Sequence, residues 1–204
     1  MILGITGGTG CGKTTLLELI REHGGLTLDC DAIYHDLLSS DRALLDAIAA
    51  RFPGTVTEDG LNRKALGAIV FADPQALSDL NAITHKAIVA EVRRRLTPTP
   101  KLAAIDAIAL FESGLAGLCD ITVAVTAPEE QRISRLMARD GISEAYARSR
   151  IRAQHDGAWF RARCDFVLQN NTTSDAFRKE CLAFLKKASI IETNTAKEIN
   201  NHDY

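Results

Sequence analysis

The sequence predicts an α/β fold in which helices flank a parallel sheet of five strands. Short apolar segments rich in β-branched residues recur along the chain and are typical of buried strands. Helical patterns separate these segments, as parallel strands require. Of the 204 residues, 46% are hydrophobic and 25% are charged, a composition that can form one sizeable core. The predicted strands lie at 2–6, 26–29, 102–106, 120–125 and 165–168.

A glycine-rich segment joins the first strand to the first helix. Residues 7–14 read GGTGCGKT and fit G-x-x-x-x-G-K-[ST], the pattern of a phosphate-binding P-loop. An ordinary glycine-rich turn is the alternative, but the flanking strand and helix favour the P-loop. Glycines leave room for backbone N–H groups to face phosphate oxygens. We predict ATP contacts from Gly8, Thr9, Gly10, Cys11, Gly12, Lys13, Thr14 and Thr15.

Two side chains of this loop have specific predicted roles. Lys13 would reach the β- and γ-phosphates, and we assign it to catalysis because its charge can stabilise the transferred phosphoryl group. The Thr14 hydroxyl is placed to bind Mg²⁺. Cys11 is interpreted as a small residue that fits the loop, with sensitivity to oxidation as the less favoured alternative.

Acidic residues end two predicted strands, where ligands sit in open α/β sheets. We expect Asp31 to orient an acceptor hydroxyl in catalysis. We expect Asp29 to cap the following helix, predicted at 32–38. For Asp106 two interpretations stay equally open: a carboxylate near Mg²⁺, or a cap at the end of the strand.

The segment from about 36 to 96 carries helical patterns and no obvious strand. It predicts a helical insertion between the second and third strands, where small-molecule kinases bind their acceptor. Its polar candidates, each alone more typical of a solvated surface, are Asn62, Arg63, Lys64, His85 and Lys86.

Residues 132–163 contain eight arginines, no lysine and three acids. Arginine binds phosphate oxygens bidentately, which lysine cannot do. Arg132, Arg135 and Arg139 are spaced to share one helix face, and Gly141 turns the chain into a second helix. We predict a lid over ATP, with Arg139 in catalysis and Arg135 on the nucleotide. An ordinary basic surface is the alternative.

The end of the fifth strand and the residues beyond it complete the single predicted domain. The Asn170 amide could read a purine edge and is predicted to contact the nucleotide, although a loop turn is equally plausible. An amphipathic pattern predicts a closing helix at 174–187. The predicted parts are a core (1–35, 101–131, 164–188), the insertion, the lid and a polar tail (189–204).

Composition limits the expected partners. The net charge of −2 argues against nucleic-acid binding. No apolar run approaches the ~20 residues that a membrane span requires, so no membrane partner is expected. The first strand begins at the N-terminus, so we expect no signal peptide. Five scattered cysteines favour reduced thiols and a cytoplasmic location.

The order of these parts suits phosphoryl transfer from ATP, with Mg²⁺, to a small acceptor. The sequence has no N-K-x-D guanine signature, which disfavours a GTPase. The residues alone leave two rivals open. One is another small-molecule kinase, for a nucleoside, nucleotide or sugar, and the other is a catalytically weak ATP-binding regulatory protein.

A set of motifs in order and spacing resembles the dephospho-CoA kinases over nearly the whole chain, to about residue 187. The matching residues are 6–14, Asp29-Cys30-Asp31, 62–66, Phe71, Leu80-Asn81, His85, 110–112, Arg135-x-x-x-Arg139-Asp140, Gln154 and 165–170.

The resemblance implies transfer of the ATP γ-phosphate to the ribose 3′-hydroxyl of dephospho-CoA, the last step of coenzyme A synthesis. It implies a nucleotide core, a helical CoA-binding subdomain and a lid. It also implies that Asp31 is the base and that Arg139 contacts phosphate.

The chain departs from the family pattern at several positions. The family has His-Pro at His85-Lys86, Asp-x-Pro-Leu-Leu at 106–110, and basic residues at Gly157 and Phe160. Arg161 or Arg163 could substitute for the last two from a shifted position.

Overall fold

The computed structural model describes residues 1–58 and 60–191 and contains the predicted parallel sheet. The strands are β1 Ile2–Thr6, β2 Leu26–Asp29, β3 Val56–Thr57, β4 Gly60–Leu61, β5 Ala103–Asp106, β6 Ile121–Thr126 and β7 Phe166–Gln169. The five-stranded sheet has the order β2-β5-β1-β6-β7, and all its pairings are parallel. The predicted fold class is confirmed, and each of the five predicted strands is within one residue of its observed bounds.

Helices cover both faces of this sheet. They are α1 Lys13–Glu22, α2 Cys30–Ser40, α3 Arg42–Arg51, α4 Arg63–Ala72, α5 Pro74–Arg95, α6 Glu129–Asp140, α7 Glu144–Arg152, α8 Gly157–Arg161 and α9 Ser174–Lys187. Helices α1 and α9 pack on one face through a core that includes Leu3, Ile5 and Phe177. Helices α2 to α5 pack against a second core that includes Ile105. Since successive side chains of a strand alternate, Ala104 belongs to the first core and Ile105 to the second.

The strand register brings three functional segments to one edge of the sheet. Asp106 at the end of β5 lies opposite Ile5 of β1 and opposite Asp29 of β2. The glycine-rich loop starts directly after Thr6, where β1 ends. The phosphate loop and the two strand-end aspartates therefore share the carboxyl edge, which is where ligands bind in open α/β sheets.

The segment predicted as purely helical also contains a small hairpin. Val56 pairs with Leu61, and Thr57 pairs with Gly60, in an antiparallel arrangement. The prediction of no strand between 36 and 96 was therefore wrong here. Two-residue strands are too short to produce the alternating pattern by which a strand is recognised in sequence. The rest of the segment between 36 and 96 forms helices, as expected.

The arginine-rich segment forms a helical hairpin with its own small core. Helix α6 ends at Gly141, which has a φ of 65°, and α7 follows at Glu144. Ile133 and Leu136 of α6 pack against Ala147 and Ile151 of α7. The predicted hairpin is confirmed, and the predicted closing helix 174–187 matches α9.

Two predictions concern the rest of the chain. Among residues 1–58 and 60–191, no helix combines the length and apolar character needed to cross a bilayer. The polar tail was predicted at 189–204, and residues 192–204 of it lie outside the described residues.

Candidate active site

A cleft of about 670 Å³ lies at the carboxyl edge of the sheet. It is formed by the phosphate loop, the start of α2, the end of β5 and the inner face of the α6–α7 hairpin. The predicted site residues that line it are Thr9, Gly10, Gly12, Lys13, Thr14, Asp31, Asp106, Arg135 and Arg139. Asp29, Ile108 and Arg150 also line it. The structure thus brings together most of the residues predicted from widely separated parts of the chain.

The phosphate loop has positive φ at Gly7, Gly10 and Gly12, a conformation that favours glycine. Gly12 caps α1 with a φ of 94°, and a Cβ at this position would collide with the Asn170 amide. Gly7 has a φ of 129°, and a Cβ there would collide with the Val125 carbonyl. Positive φ is strained for other residues. The glycines therefore let the loop pass close to β6 and β7 and reach the N-terminus of α1.

Lys13 points across the start of the loop toward the strand-end acid. Its Nζ donates to the Gly7 carbonyl at 3.1 Å and lies 3.9 Å from Asp106 Oδ1. The amine and the carboxylate are both mostly shielded from solvent, with 14% and 18% of the side chains exposed. A phosphate arriving in the loop would meet this amine at the first turn of α1.

Asp29 and Asp31 have separate positions at the start of α2. Asp29 is the N-cap of the helix, and its Oδ1 accepts from the Asp31 and Ala32 amides at 2.9 and 3.0 Å. The predicted capping role of Asp29 is confirmed, although its side chain also borders the cleft. Asp31 lies in the first turn, is exposed and faces the cleft. Its carboxylate is therefore accessible to an incoming acceptor.

Asp106 is the most perturbed acid of the cleft. Burial raises the pKa of its carboxyl to about 6, the Lys13 charge lowers it, and the nearby Asp29 and Asp31 carboxylates raise it. Its Oδ1 is fully withdrawn from solvent and has no hydrogen-bond partner. Because the separation of 3.9 Å from Lys13 is too long for a hydrogen bond, this oxygen remains free to bind a further positive group.

This orphaned oxygen fits a hard divalent cation. Mg²⁺ binds through one or two protein oxygens together with substrate phosphates and water. The Thr14 hydroxyl and the Asp106 carboxylate are the protein oxygens that were predicted, and both line the cleft. Within the described part of the chain, no cluster of three or more His, Cys, Asp or Glu could hold a metal by itself. An ion here would need ligands from the nucleotide.

Arg132 and Gln154 hold the loop from the side of the arginine-rich hairpin. Arg132 is buried, and its Nε donates to the Thr9 carbonyl at 2.9 Å. Gln154 Oε1 accepts from the Thr9 amide at 2.9 Å and from Arg132 at 2.8 Å. Arg132 was predicted as part of a lid face over ATP. Its guanidinium instead fixes the backbone of the phosphate loop.

Arg135 and Asn170 support the next part of the loop. Asn170 is buried, and its amide donates to the Cys11 carbonyl at 2.9 Å while its oxygen accepts from Arg135 at 3.2 Å. Arg135 also donates to the Gly10 carbonyl at 3.2 Å and lines the cleft. The Asn170 side chain is thus engaged within the protein and is not among the residues that border the cleft. A direct nucleotide contact by Asn170 stays a prediction.

Three further loop residues predicted to contact ATP do not line the cleft. They are Gly8, Cys11 and Thr15. Cys11 is 2% exposed and packs in the core beneath the loop, which agrees with its interpretation as a small residue that fits. A Cβ on Gly8 would collide with Arg132. Contact of these three residues with ATP stays a prediction.

Arg139 and Arg150 meet at one acid on the hairpin. Arg139 donates to both oxygens of Asp140, at 2.6 and 3.0 Å, and Arg150 donates to Asp140 Oδ2 at 2.9 Å. The hydrogen bond from Arg139 is the main reason that the pKa of Asp140 is lowered to about 2. Both guanidinium groups line the cleft. Asp140 therefore holds two cations at the wall of the cleft that Asp31 also lines.

The remaining arginines of the segment do not act as one group. Arg148 pairs with Glu129, Glu130 and Glu144, away from the cleft. Arg163 stacks over the Trp159 ring, 4.2 Å from its centroid. The arginines of the predicted lid therefore have separate roles, and only some of them face the cleft. Three of them line the cleft, namely Arg135, Arg139 and Arg150.

Sequence reasoning missed the roles of Arg150, Asp140 and Gln154. Arg150 was one member of the arginine-rich group, while Asp140 and Gln154 were noted only as matches to a family pattern. The spacing between Asp140 and Arg150 spans a turn between two helices, so no helical periodicity connects them. The direct neighbours Arg139 and Asp140 were visible in sequence, but adjacent residues on a helix do not normally face each other.

Comparison with known proteins gives consistent matches over most of the chain. The family model described as dephospho-CoA kinase matches residues 1–176. The dephospho-CoA kinase of Syntrophotalea carbinolica is 36% identical over 193 residues, which is 92% of each chain.

Two solved structures are similar in fold and sequence. A crystal structure of a Thermus thermophilus protein has a TM-score of 0.81 and 33% identity, covering 94% of this chain and 98% of that one. The dephospho-CoA kinase from Campylobacter jejuni has a TM-score of 0.66 and 26% identity, covering 93% and 97%. The matches therefore include both the sheet and the two helical segments that border the cleft.

Proposed function

This chain belongs to the dephospho-CoA kinase family, and we propose that it phosphorylates dephospho-CoA at the ribose 3′-hydroxyl, the last step of coenzyme A synthesis. ATP is the phosphate donor. The observation that carries the proposal is that the phosphate loop, Asp31 and Asp106 share one cleft. A donor bound by the loop and an alcohol beside Asp31 would occupy the same cleft, as direct transfer requires.

The proposed reaction is an in-line displacement. The 3′-oxygen of the acceptor attacks the γ-phosphorus as the bond to the β,γ-bridging oxygen breaks, giving ADP and the 3′-phosphorylated product. Asp31 accepts the proton of the attacking hydroxyl, and its exposed position at the start of α2 supports this role. Lys13 and Arg139 stabilise the negative charge on the transferred group. Catalysis then rests mainly on positioning and on charge stabilisation.

Mg²⁺, when bound, would supply positive charge that stabilises the negative charge of the phosphates. In the proposal, the Thr14 hydroxyl and the Asp106 carboxylate would hold it. The lack of any hydrogen-bond partner for this buried oxygen supports the assignment. Binding of a divalent ion would also favour the charged form of Asp106, whose pKa burial raises to about 6.

The proposal includes a cytoplasmic location and small-molecule substrates only. All five cysteines are free thiols in the structure, which supports a reducing compartment. The three arginines that line the cleft are held by carboxylate or amide partners within the protein. That arrangement supports a site for one phosphorylated ligand rather than for an extended polyanion.

The test is an acceptor panel with γ-labelled ATP and the purified full-length chain. The panel contains dephospho-CoA, a nucleoside, a nucleotide and a sugar, each at several concentrations. We expect label on dephospho-CoA. Release of a labelled ribose 3′-phosphate when the product is hydrolysed would prove that the 3′-hydroxyl is the position of transfer. Labelling of another acceptor in its place would assign the chain to a different small-molecule kinase activity. Tight ATP binding with no labelled acceptor would support a regulatory protein instead.

A further inference from the structure

The connection between α7 and α8 is attached to the loop that follows β5. His155 Nε2 donates to Glu112 Oε1 at 2.7 Å, because an ionised carboxylate can only accept. Both residues line a space of about 240 Å³ that also borders Gln154. The contact therefore joins the end of the arginine-rich hairpin to the core, beside the residue that holds Thr9.

The His155 ring is held by stacking as well. It lies parallel to the Trp159 ring, with 3.7 Å between the centroids and an angle of 1° between the planes. Phe160 is 3% exposed and meets both rings edge-on, 6.5 Å from His155 and 5.2 Å from Trp159. Phe111, the neighbour of Glu112, meets Trp159 edge-on at 5.6 Å. The imidazole is therefore fixed in orientation as well as in position, which a surface ion pair alone would not achieve.

Part of this aromatic packing lies where the dephospho-CoA kinase pattern has basic residues. Gly157 is the first residue of α8 and Phe160 is buried, so neither position offers a charge to the cleft. Neither of the arginines that could substitute for them, Arg161 and Arg163, lines the cleft. Arg163 lies instead over the ring of Trp159. The segment from 155 to 163 therefore contributes packing rather than charge to the site.

Gln154 links this packing to the phosphate loop. It lies in the connection between α7 and α8, so helical hydrogen bonds do not fix it on both sides. Its backbone amide donates to the Ile151 carbonyl at 3.1 Å, which ties it to the end of α7. On its other side, the neighbouring His155 is bound to Glu112. A shift of His155 would therefore move the side-chain oxygen that accepts from the Thr9 amide.

Resting on the proposed use of ATP by the phosphate loop, we propose that His155 is a positioning residue that acts through Gln154 to hold the loop in the shape that binds the triphosphate. Glu112 provides the fixed acceptor for His155, and Trp159 provides the fixed surface. When His155 is released, Gln154 can leave Thr9, and the loop must then be ordered each time ATP binds. The effect falls on nucleotide binding rather than on the chemical step, because the catalytic side chains keep their places.

The first experiment measures equilibrium binding of the non-hydrolysable β,γ-methylene analogue of ATP, with Mg²⁺, to the full chain without acceptor. We expect His155→Ala to weaken binding about threefold to fivefold, the upper range for one partly exposed ion pair, while kcat at saturating ATP stays at the wild-type value. Glu112→Ala should weaken binding equally, whereas Glu112→Gln keeps an acceptor oxygen and should restore most of the affinity. His35→Ala is the matched control, because this exposed histidine of α2 contacts Arg63 of α4.

A double-mutant cycle tests whether His155 acts through Gln154. In the Gln154→Leu background, His155→Ala should cause no further loss of affinity, because the link to Thr9 is already broken. Losses that simply add would overturn the proposed route. Urea unfolding is measured on every variant, since a merely structural role would lower the stability of His155→Ala and leave its affinity for the analogue unchanged. That result would overturn the proposal too.

Intrinsic fluorescence reports on the stack directly, because the chain contains one tryptophan. An imidazole in contact with an indole ring alters the indole emission. Release of His155 in Glu112→Ala should therefore change the Trp159 signal, and Glu112→Gln should resemble the wild type. Equal signals from all three proteins would show that Glu112 does not hold the ring, which would overturn the proposal. If His155→Ala fails to fold, the comparison of Glu112→Ala with Glu112→Gln decides.

The outcomes separate this inference from the proposed function. Failure of the wild type to bind the ATP analogue would overturn both. Binding by the wild type with an unchanged affinity in His155→Ala would overturn the inference alone. The expected pattern of affinities without transfer of phosphate to dephospho-CoA would overturn the proposed function alone.

Discussion

Lys13 Nζ and Asp106 Oδ1 lie 3.9 Å apart in the floor of the cleft, close enough to interact but too far apart to hydrogen-bond. The pair joins the start of α1 to the end of β5, two segments that lie far apart in the sequence. Oδ1 has no hydrogen-bond partner, so the carboxylate still has room to bind a cation. The protonation of Asp106 should therefore be measurable in the absence of ligands.

The first prediction concerns the stability of the nucleotide-free and metal-free protein. Asp106 has a pKa of about 6, raised from 3.8, so the folded state binds more protons than the unfolded state between about pH 4 and pH 6. Its contribution to the free energy of unfolding therefore falls as pH rises through this window. Relative to Asp106→Asn, the wild type should lose on the order of 2 kcal/mol by pH 7.

Urea unfolding at several pH values between 4 and 7 measures this difference. Asp46→Asn is the control, because Asp46 is an exposed acid in a surface pair with Arg42. If the wild type and Asp106→Asn have parallel profiles across this range, Asp106 titrates normally.

The second prediction assigns the proton acceptor. Asp31→Asn should lower kcat by about 10²–10⁴, the usual contribution of a general base, and should leave ATP affinity close to that of the wild type. Asp36→Asn on the same helix is the matched control, since Asp36 is exposed and forms only a surface contact with Arg95. Steady-state kinetics and ATP titration separate the two effects. An unchanged kcat would remove Asp31 from the chemistry.

The third prediction concerns Asp140, which positions Arg139 and Arg150. Asp140→Asn keeps the size of the side chain but removes the charge that holds both guanidinium groups. We expect kcat/KM for ATP to fall about tenfold, because freed arginines must lose side-chain entropy when phosphate binds. Glu130→Gln is the control, since Glu130 pairs with Arg148 outside the cleft. A gain in ATP affinity would instead mean that Asp140 competes with phosphate for the arginines.

Much of this architecture could be predicted because it depends on local pattern. The five strands and the phosphate loop are short-range features, and Asp31 could be chosen because it follows a strand. The role of Asn170 could not be predicted in the same way. Its partners, Cys11 and Arg135, are remote in sequence, so neither burial nor hydrogen bonding could be deduced from the residues around it. The lid role predicted for Arg132 was wrong for the same reason, because its partner Thr9 is remote in sequence and its spacing on the helix does not reveal that it is buried.

The fourth prediction tests the support of the loop by Gln154. Gln154→Leu removes the acceptor shared by the Thr9 amide and Arg132. The buried donors left without a partner should lower the free energy of unfolding by about 1–3 kcal/mol. The KM for ATP should also rise, because the loop loses its fixed shape. Gln169→Ala, an exposed glutamine at the end of β7, is the control.

Chemical denaturation and ATP kinetics on the same preparations separate the two effects. A Gln154→Leu protein with normal stability and a normal KM for ATP would show that the hydrogen bonds seen at Thr9 do not shape the loop.

The contacts of Thr9 also restrict how a nucleotide can enter. Its carbonyl is bound by Arg132 and its amide by Gln154, so both ends of the hairpin are attached to the same residue of the loop. The hairpin cannot swing away as a rigid flap about a single hinge without breaking one of these attachments. Bending of the hairpin near the left-handed turn at Gly141 would instead keep both attachments intact and widen the cleft only at its outer end.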